Sequence, residues 1–169
     1  MKLPICSFDA KTGVLCPKCE EKLAKGVISK TDVEVSMKLV KLASDHPSLD
    51  KITLKRAIDL GDAMVLVLGS GDLARLREER GLYSALRKTL GKRVWAVEED
   101  ASDRRMLEDL VYPAKIASMN IIWLPDGTKL TKAVIPGRRT ERFPVDLDQV
   151  ERIFKVVKGV DLKIEFEKT

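Results

Sequence analysis

Gly91-Lys-Arg-Val-Trp-Ala-Val-Glu98 and Gly159-Val-Asp-Leu-Lys-Ile-Glu-Phe-Glu167 close two halves of one chain in the same way. Each begins with a glycine that stops a helical pattern and continues as a short strand ending in Glu. Upstream of Gly91, Leu82, Ala85, Leu86 and Leu90 fall on one helical face; upstream of Gly159, Leu147, Val150, Ile153, Phe154 and Val157 do the same, behind an Asp146 cap.

The first half extends back to about residue 31. Thr31-Asp-Val-Glu34 has the pattern of a capping box and predicts a helix start with Thr31 as N-cap. Val33, Met37, Val40 and Ser44 form its apolar face, flanked by Leu39, Leu42 and Ala43, and the helix ends near His46-Pro47. Ile52 to Ile58 alternates, Gly61-Asp62 turns, and Met64 to Leu68 is a continuous apolar strand. Gly69-Ser-Gly71-Asp72 leads into a helix holding Leu73 and Leu76, interrupted by Gly81. The order is α-β-β-α-α-β. In the second half, Ser102 or Asp103 caps a helix with Leu107, Leu110 and Val111. Lys115–Leu124 and Lys129–Ile135 flank the Pro125-Asp-Gly127 turn. A polar loop at 138–144 precedes the final helix and strand, so the order is α-β-β-loop-α-β. The reading is an internal duplication of an α+β unit, with parts at 1–30, 31–100 and 102–169.

The α-β-β-α-α-β order resembles the type II KH fold, and two such units in a short chain are similar to the archaeal NusA-like transcription factors. Leu86-Arg-Lys-Thr-Leu-Gly-Lys-Arg-Val-Trp-Ala-Val-Glu98, Leu124-Pro-Asp-Gly127 and Val134-Ile-Pro-Gly-Arg138 carry the resemblance, which covers about 31–167. It implies RNA binding in transcription elongation or termination, with RNA polymerase a candidate partner; the ribosome is the other candidate, since rRNA presents the same phosphate surface. In working KH domains a GxxG loop clamps the nucleic-acid backbone. Counting back from Leu90-Gly91 puts that loop at Arg77-Glu78-Glu79-Arg80, where both glycines are replaced by Arg. The second half has Gly137-Arg-Arg-Thr-Glu-Arg142 instead. Contacts to RNA would then fall to side chains.

The residues offer those side chains. Arg75, Arg77, Arg80, Arg87, Lys88, Lys92 and Arg93 stand against Glu78 and Glu79 alone, a surplus of +5 that equals the net charge of all 169 residues. Arg138, Arg139 and Arg142 form a second cluster. Clustered cations neutralise phosphates and release counterions; a solvated helix face is the plainer explanation. Tyr83, beside the first cluster, can stack on a base, whereas Trp95 and Trp123 read as core.

All three cysteines lie within the first 19 residues. Cys16-Pro-Lys-Cys19 has the spacing of a zinc knuckle, and Cys6-x-x-Asp9 repeats it ten residues earlier. Cys6, Asp9, Cys16 and Cys19 are therefore the expected ligands of a structural Zn²⁺ in a zinc-ribbon-like segment; a redox pair at Cys16 and Cys19 is the other reading. So short a segment does not order itself without a staple.

The remaining features narrow the class. The chain is 44% hydrophobic and 34% charged, which excludes disorder and low complexity. No apolar run approaches the roughly 18 residues of a membrane span, and the N-terminus lacks the apolar stretch of a signal peptide, so the expectation is a soluble cytoplasmic protein without membrane contact. A single Asn and a single Gln, with abundant Lys, Arg and Glu, suit a thermophilic source. Gly69-Ser-Gly71 lacks the rest of a phosphate loop and reads as a turn; His46 reads as a helix-end residue. There is no catalytic triad, paired-carboxylate site or dinucleotide fingerprint. The expectation is a non-enzymatic RNA-binding factor, with a ribosome-associated factor or a protein–protein adaptor as alternatives.

Overall fold

The computed structural model describes residues 1–112, 114–137 and 145–167. Among them are seven α-helices and two three-stranded sheets, in two compact units, Met1–Asp100 and Ala101–Thr169.

The first unit runs α1 (Ser7–Thr12), α2 (Pro17–Ala24), α3 (Lys30–Ala43), a 3₁₀ turn (Pro47–Lys51), β1 (Leu54–Asp59), β2 (Ala63–Leu68), α4 (Asp72–Glu78), α5 (Leu82–Leu90) and β3 (Arg93–Glu98). β2 is central, antiparallel to β1 and parallel to β3. Its six residues, all apolar and all buried, match a strand covered on both faces. The tight return from β1 to β2 uses Gly61 at φ +92°, and the Gly61 N–H donates to Asp59 Oδ1 at 2.8 Å. The parallel pairing of β2 with β3 needs a long crossover, which α4 and α5 supply. Leu39, Leu54, Leu66, Leu68, Leu76, Leu82 and Leu86 centre the core around this sheet.

α3 differs from the expectation in two ways. Its N-cap is Ser29, not Thr31: Ser29 Oγ accepts the Asp32 N–H at 3.0 Å, and Asp32 Oδ2 accepts the Ser29 N–H at 2.9 Å. The reason is a third bond, from the Ala57 N–H of β1 to Asp32 Oδ1 at 2.6 Å. That bond fixes Asp32 at the N3 position and ties the helix start to the sheet edge. The helix also has two apolar faces. Val35, Leu39 and Ala43 join the sheet core, while Val33, Met37 and Val40 pack with Ile5, Ala10, Cys19 and Ile28 of the N-terminal segment.

The second unit runs α6 (Asp103–Val111), β4 (Ser118–Trp123), β5 (Lys129–Ile135), α7 (Leu147–Lys158) and β6 (Leu162–Phe166). β5 is central, antiparallel to β4 and parallel to β6. The order and strand senses repeat those of the first sheet, and β3 and β6 hold equivalent places. Ser102 caps α6; Asp146 caps α7 by accepting the N–H groups of Asp148 and Gln149. Trp123, expected in the core, is 65% exposed: both faces of β4 are open to solvent from Asn120 to Trp123, so among the described residues no element covers that end of the strand. Trp95 is half-buried. Among the described residues no helix is long and apolar enough to cross a membrane.

Candidate metal centre and basic surface

Cys6 is the N-cap of α1 and Asp9 its third residue; Cys16 is the N-cap of α2 and Cys19 its third residue. N-cap and N3 side chains meet on one side of a helix start, so each helix offers a pair of donors. Pro17 at the first position of α2 suits that start, since its missing N–H would have no helical partner. The four donor atoms lie within 4.8 Å of one another. Ligands about 2.3 Å from one tetrahedral ion sit roughly 3.8 Å apart, so a small contraction completes the shell. The residues brought together are the four read from the sequence, and they can hold a metal ion.

The site has a firm floor. Asp9 and Cys19 are buried, at 1% and 3% exposure, and Cys6 is exposed. The Cys16 N–H donates to Asp9 Oδ2 at 2.9 Å and links the two helix starts. Leu3, Leu15, Leu23, Met37 and Val40 pack around the cluster below. Lys2 pairs with the strand edge through its N–H to Ile52 O and its carbonyl to the Leu54 N–H, at 3.2 and 2.8 Å.

The electrostatics are those of a carboxylate clasped by donors. The Cys16 amide, then the Cys19, Cys16 and Cys6 thiols, hold the Asp9 carboxyl well below the usual carboxylate range. The same contact works in reverse on Cys19, whose thiol is pushed up to about 12, first by the Asp9 carboxylate and then by burial. At Cys6 the Asp9 amide pulls the thiol down, but the Asp9 carboxylate, desolvation and Cys16 outweigh it, and the net direction is up. A divalent cation at the centre would replace these protons as the partner of the negative charge.

The basic residues divide into groups. Arg87, Lys88, Lys92 and Arg93, with Ser84, Ala85 and Gly91, line an open depression of roughly 680 Å³ at the C-terminal end of α5. Lys92 there donates to both carboxylate oxygens of Asp59, at 2.6 and 2.7 Å. Lys92, then the Gly61 amide, lowers the Asp59 pKa. Arg75 on α4 is paired with Asp72 at 2.8 Å. Arg77 and Arg80 lie toward the other end of α5 and do not line the depression. Arg138, Arg139 and Arg142 lie outside the described residues.

The loop expected at Arg77–Arg80 sits later. Arg77 and Glu78 belong to α4, and the turn is Glu79-Arg80-Gly81, with Gly81 at φ +78° as the N-cap of α5. A left-handed residue at that turn is why glycine stands at 81. His46 contributes to its position: Nδ1 lies 2.7 Å from Glu79 Oε2. Tyr83 is half-buried against the core. The Gly69-Ser-Gly71 turn has its amides engaged internally. Asp72 Oδ2 accepts the Thr53 and Gly69 N–H groups at 2.8 and 3.1 Å, and Glu98 accepts that of Gly71. With two buried carboxylates in place, an incoming phosphate meets negative charge. Sequence reading missed these braces because the partners are 19 and 27 residues apart. It also missed Lys129, whose Nζ stands 4.6 Å above the Trp123 ring.

No family model and no curated protein matches the chain. Among solved structures it is similar to the crystal structure of APE1850, at 21% identity and a TM-score of 0.49, over 76% of this chain and 96% of that one.

Proposed function

We propose that the chain is a non-enzymatic RNA-binding factor of two type II KH-like units, stapled at its N-terminus by a structural zinc ion. The observation that carries the RNA reading is the depression lined by Arg87, Lys88, Lys92 and Arg93. Arg87 and Lys88 have no acidic partner among the described residues and remain available to phosphates. The element order α3-β1-β2-α4-α5-β3 supports the KH-like reading, as does the repeated sheet in the second unit. Thiolate-rich donors favour zinc over the harder magnesium and calcium ions. The NusA-like resemblance supports a role in transcription elongation or termination, beside RNA polymerase, with ribosomal RNA as the alternative target.

The test is a titration of structured and single-stranded RNA at several salt concentrations. Binding should weaken linearly in log–log form, with a slope of about −0.7 per phosphate contacted on single strands. Arg87→Glu with Lys88→Glu should weaken it at least about tenfold at ~0.1 M salt, and Lys163→Glu on β6 should leave it unchanged. A double variant that binds like the parent refutes the reading. The protein–protein adaptor then takes its place; the exposed Ile121, Ile122, Trp123 and Leu124 are the observation that favours it.

A further inference from the structure

Two of the outer strand edges are closed to further pairing. The edge of β1 is closed off: its register is irregular between Leu54 and Arg56, Lys55 is exposed, and the Ala57 N–H is taken by Asp32. The edge of β6 is treated similarly, since the Ile164 N–H donates to Glu151 Oε1 at 3.1 Å and Lys163 and Glu165 alternate along the strand. These are the devices by which monomeric proteins keep sheet edges from pairing.

β4 has such an irregularity only at its start, where the Ala117 N–H donates to Val134 O although Ser118 is the residue opposite Val134. Ser118-Met-Asn-Ile-Ile-Trp123 carries no charge and no proline, and it pairs with β5 in unbroken register. The Leu124 N–H donates inward to Thr128 O at 2.8 Å. Alternation along an antiparallel strand then turns the amides and carbonyls of Trp123, Ile121 and Met119 to the open side. Among the described residues nothing takes them up. Met119, Ile121 and Trp123 make one face wholly apolar, while Ile122 shares the other with Ser118 and Asn120; Ile121 is 62% exposed, Ile122 38%, Trp123 65% and Leu124 39%.

We propose that β4 pairs antiparallel with β4 of a second copy of this chain, joining two three-stranded sheets into one of six strands. A two-fold interface sets each residue near its own copy, so like charges at the centre would oppose it; this strand has no charge to oppose. The parity of the faces and the outward amides select a register with Ile121 opposite Ile121 and Met119 opposite Trp123. That register also brings Lys115 of each copy toward the turn holding Asp126 of the other. The Asp126 carboxylate is kept ionised there by the Thr128 hydroxyl and amide. At typical side-chain areas the exposed apolar surface is roughly 400–500 Å² per copy. Edge-to-edge pairing covers part of that surface together with the backbone edges, which puts the interface at the small, concentration-dependent end of specific contacts.

The experiment is sedimentation velocity on the full chain across a concentration series, with Ile121→Lys and Ile121→Cys. The parent should be dimeric at about 100 µM, and Ile121→Lys, which sets two ammonium groups across the dyad, should weaken association at least about a hundredfold. Residue 121 is exposed, so at concentrations low enough to keep the parent monomeric the variant should melt like it by circular dichroism. Ile121→Cys should form a dimer linked through that position under mild oxidation, since directly opposed strand residues have Cα atoms about 5.5 Å apart. Peptide mapping distinguishes it from links through the native cysteines. A parent that stays monomeric at ~500 µM overturns the proposal and leaves the edge to another protein. A parent dimer that Ile121→Lys leaves intact also overturns it.

Discussion

Metal affinity should depend steeply on pH, and the steepness follows from the thiols. Without metal, Cys19 keeps its proton up to about 12 and Cys6 is also shifted upward, whereas Asp9 has already lost its proton at neutral pH. A bound dication requires thiolates, so binding at neutral pH expels the protons of Cys6 and Cys19 at least, and none from Asp9. Raised thiol pKa values mean that the protonated, metal-free form gains as pH falls. Affinity should therefore drop at least about a hundredfold for each pH unit lowered between 8 and 6, a factor of ten for each of the two protons and more if Cys16 releases a third. Calorimetric zinc titrations in buffers of different ionisation enthalpy count the released protons directly, and chelator competition gives the affinity. Asp9→Asn should weaken binding by removing a charged ligand, and it should also lower the Cys19 pKa, because the carboxylate that holds that proton is gone. Affinity that does not change with pH, or release of fewer than two protons, would refute the reasoning.

Other perturbations follow from the buried carboxylates. Asp72→Ala removes the acceptor of the Thr53 and Gly69 amides and the partner of Arg75, and should cost about 3–5 kcal/mol in urea unfolding. Asp32→Ala breaks the α3 capping box and orphans the Ala57 N–H, for about 2–4 kcal/mol, with hydrogen exchange at Ala57 rising selectively. Asp59 has a pKa lowered in the fold, so its pairing with Lys92 contributes fully above the unfolded value and is lost as pH falls through the folded one. The pair is part in solvent; Lys92→Ala should cost less than about 1 kcal/mol at pH 7, and the cost should vanish as pH falls through the lowered Asp59 pKa.

Much of the element order is written in local chemistry. Gly91 and Gly159 sit at left-handed helix ends, Ser102 and Asp146 cap as their positions suggest, and Lys129–Ile135 is a strand at the residues read from its pattern. The four metal donors were legible because N-cap and N3 spacing is itself a local rule. What escaped is what depends on neighbours. Periodicity marks Val33, Met37 and Val40 as a face of α3 but cannot say that this face meets the cysteine segment while Val35, Leu39 and Ala43 meet the sheet. An apolar strand reads the same whether or not other elements cover its faces, so Trp123 passed for core. Ser29 displaced Thr31 as a cap through a bond to Ala57, 25 residues from Asp32.

The sheet topology also sets an order of assembly. In each sheet the antiparallel pair is joined by a short turn, with Asp59 opposite Met64 and Trp123 opposite Lys129. The parallel strand arrives only after a long excursion: Ala63 is opposite Arg93, and Thr131 is opposite Leu162. Closing the longer loop costs more chain entropy before any contact repays it. Each half should therefore begin folding as a hairpin that waits for its third strand, and β3 and β6 should be the last to gain protection in pulsed hydrogen exchange. Until the third strand docks, each central strand has one edge open. A ribosome that has released β2 but not β3 thus holds out six apolar residues paired along one edge only, and the roughly thirty residues still to be made set how long the other edge stays open.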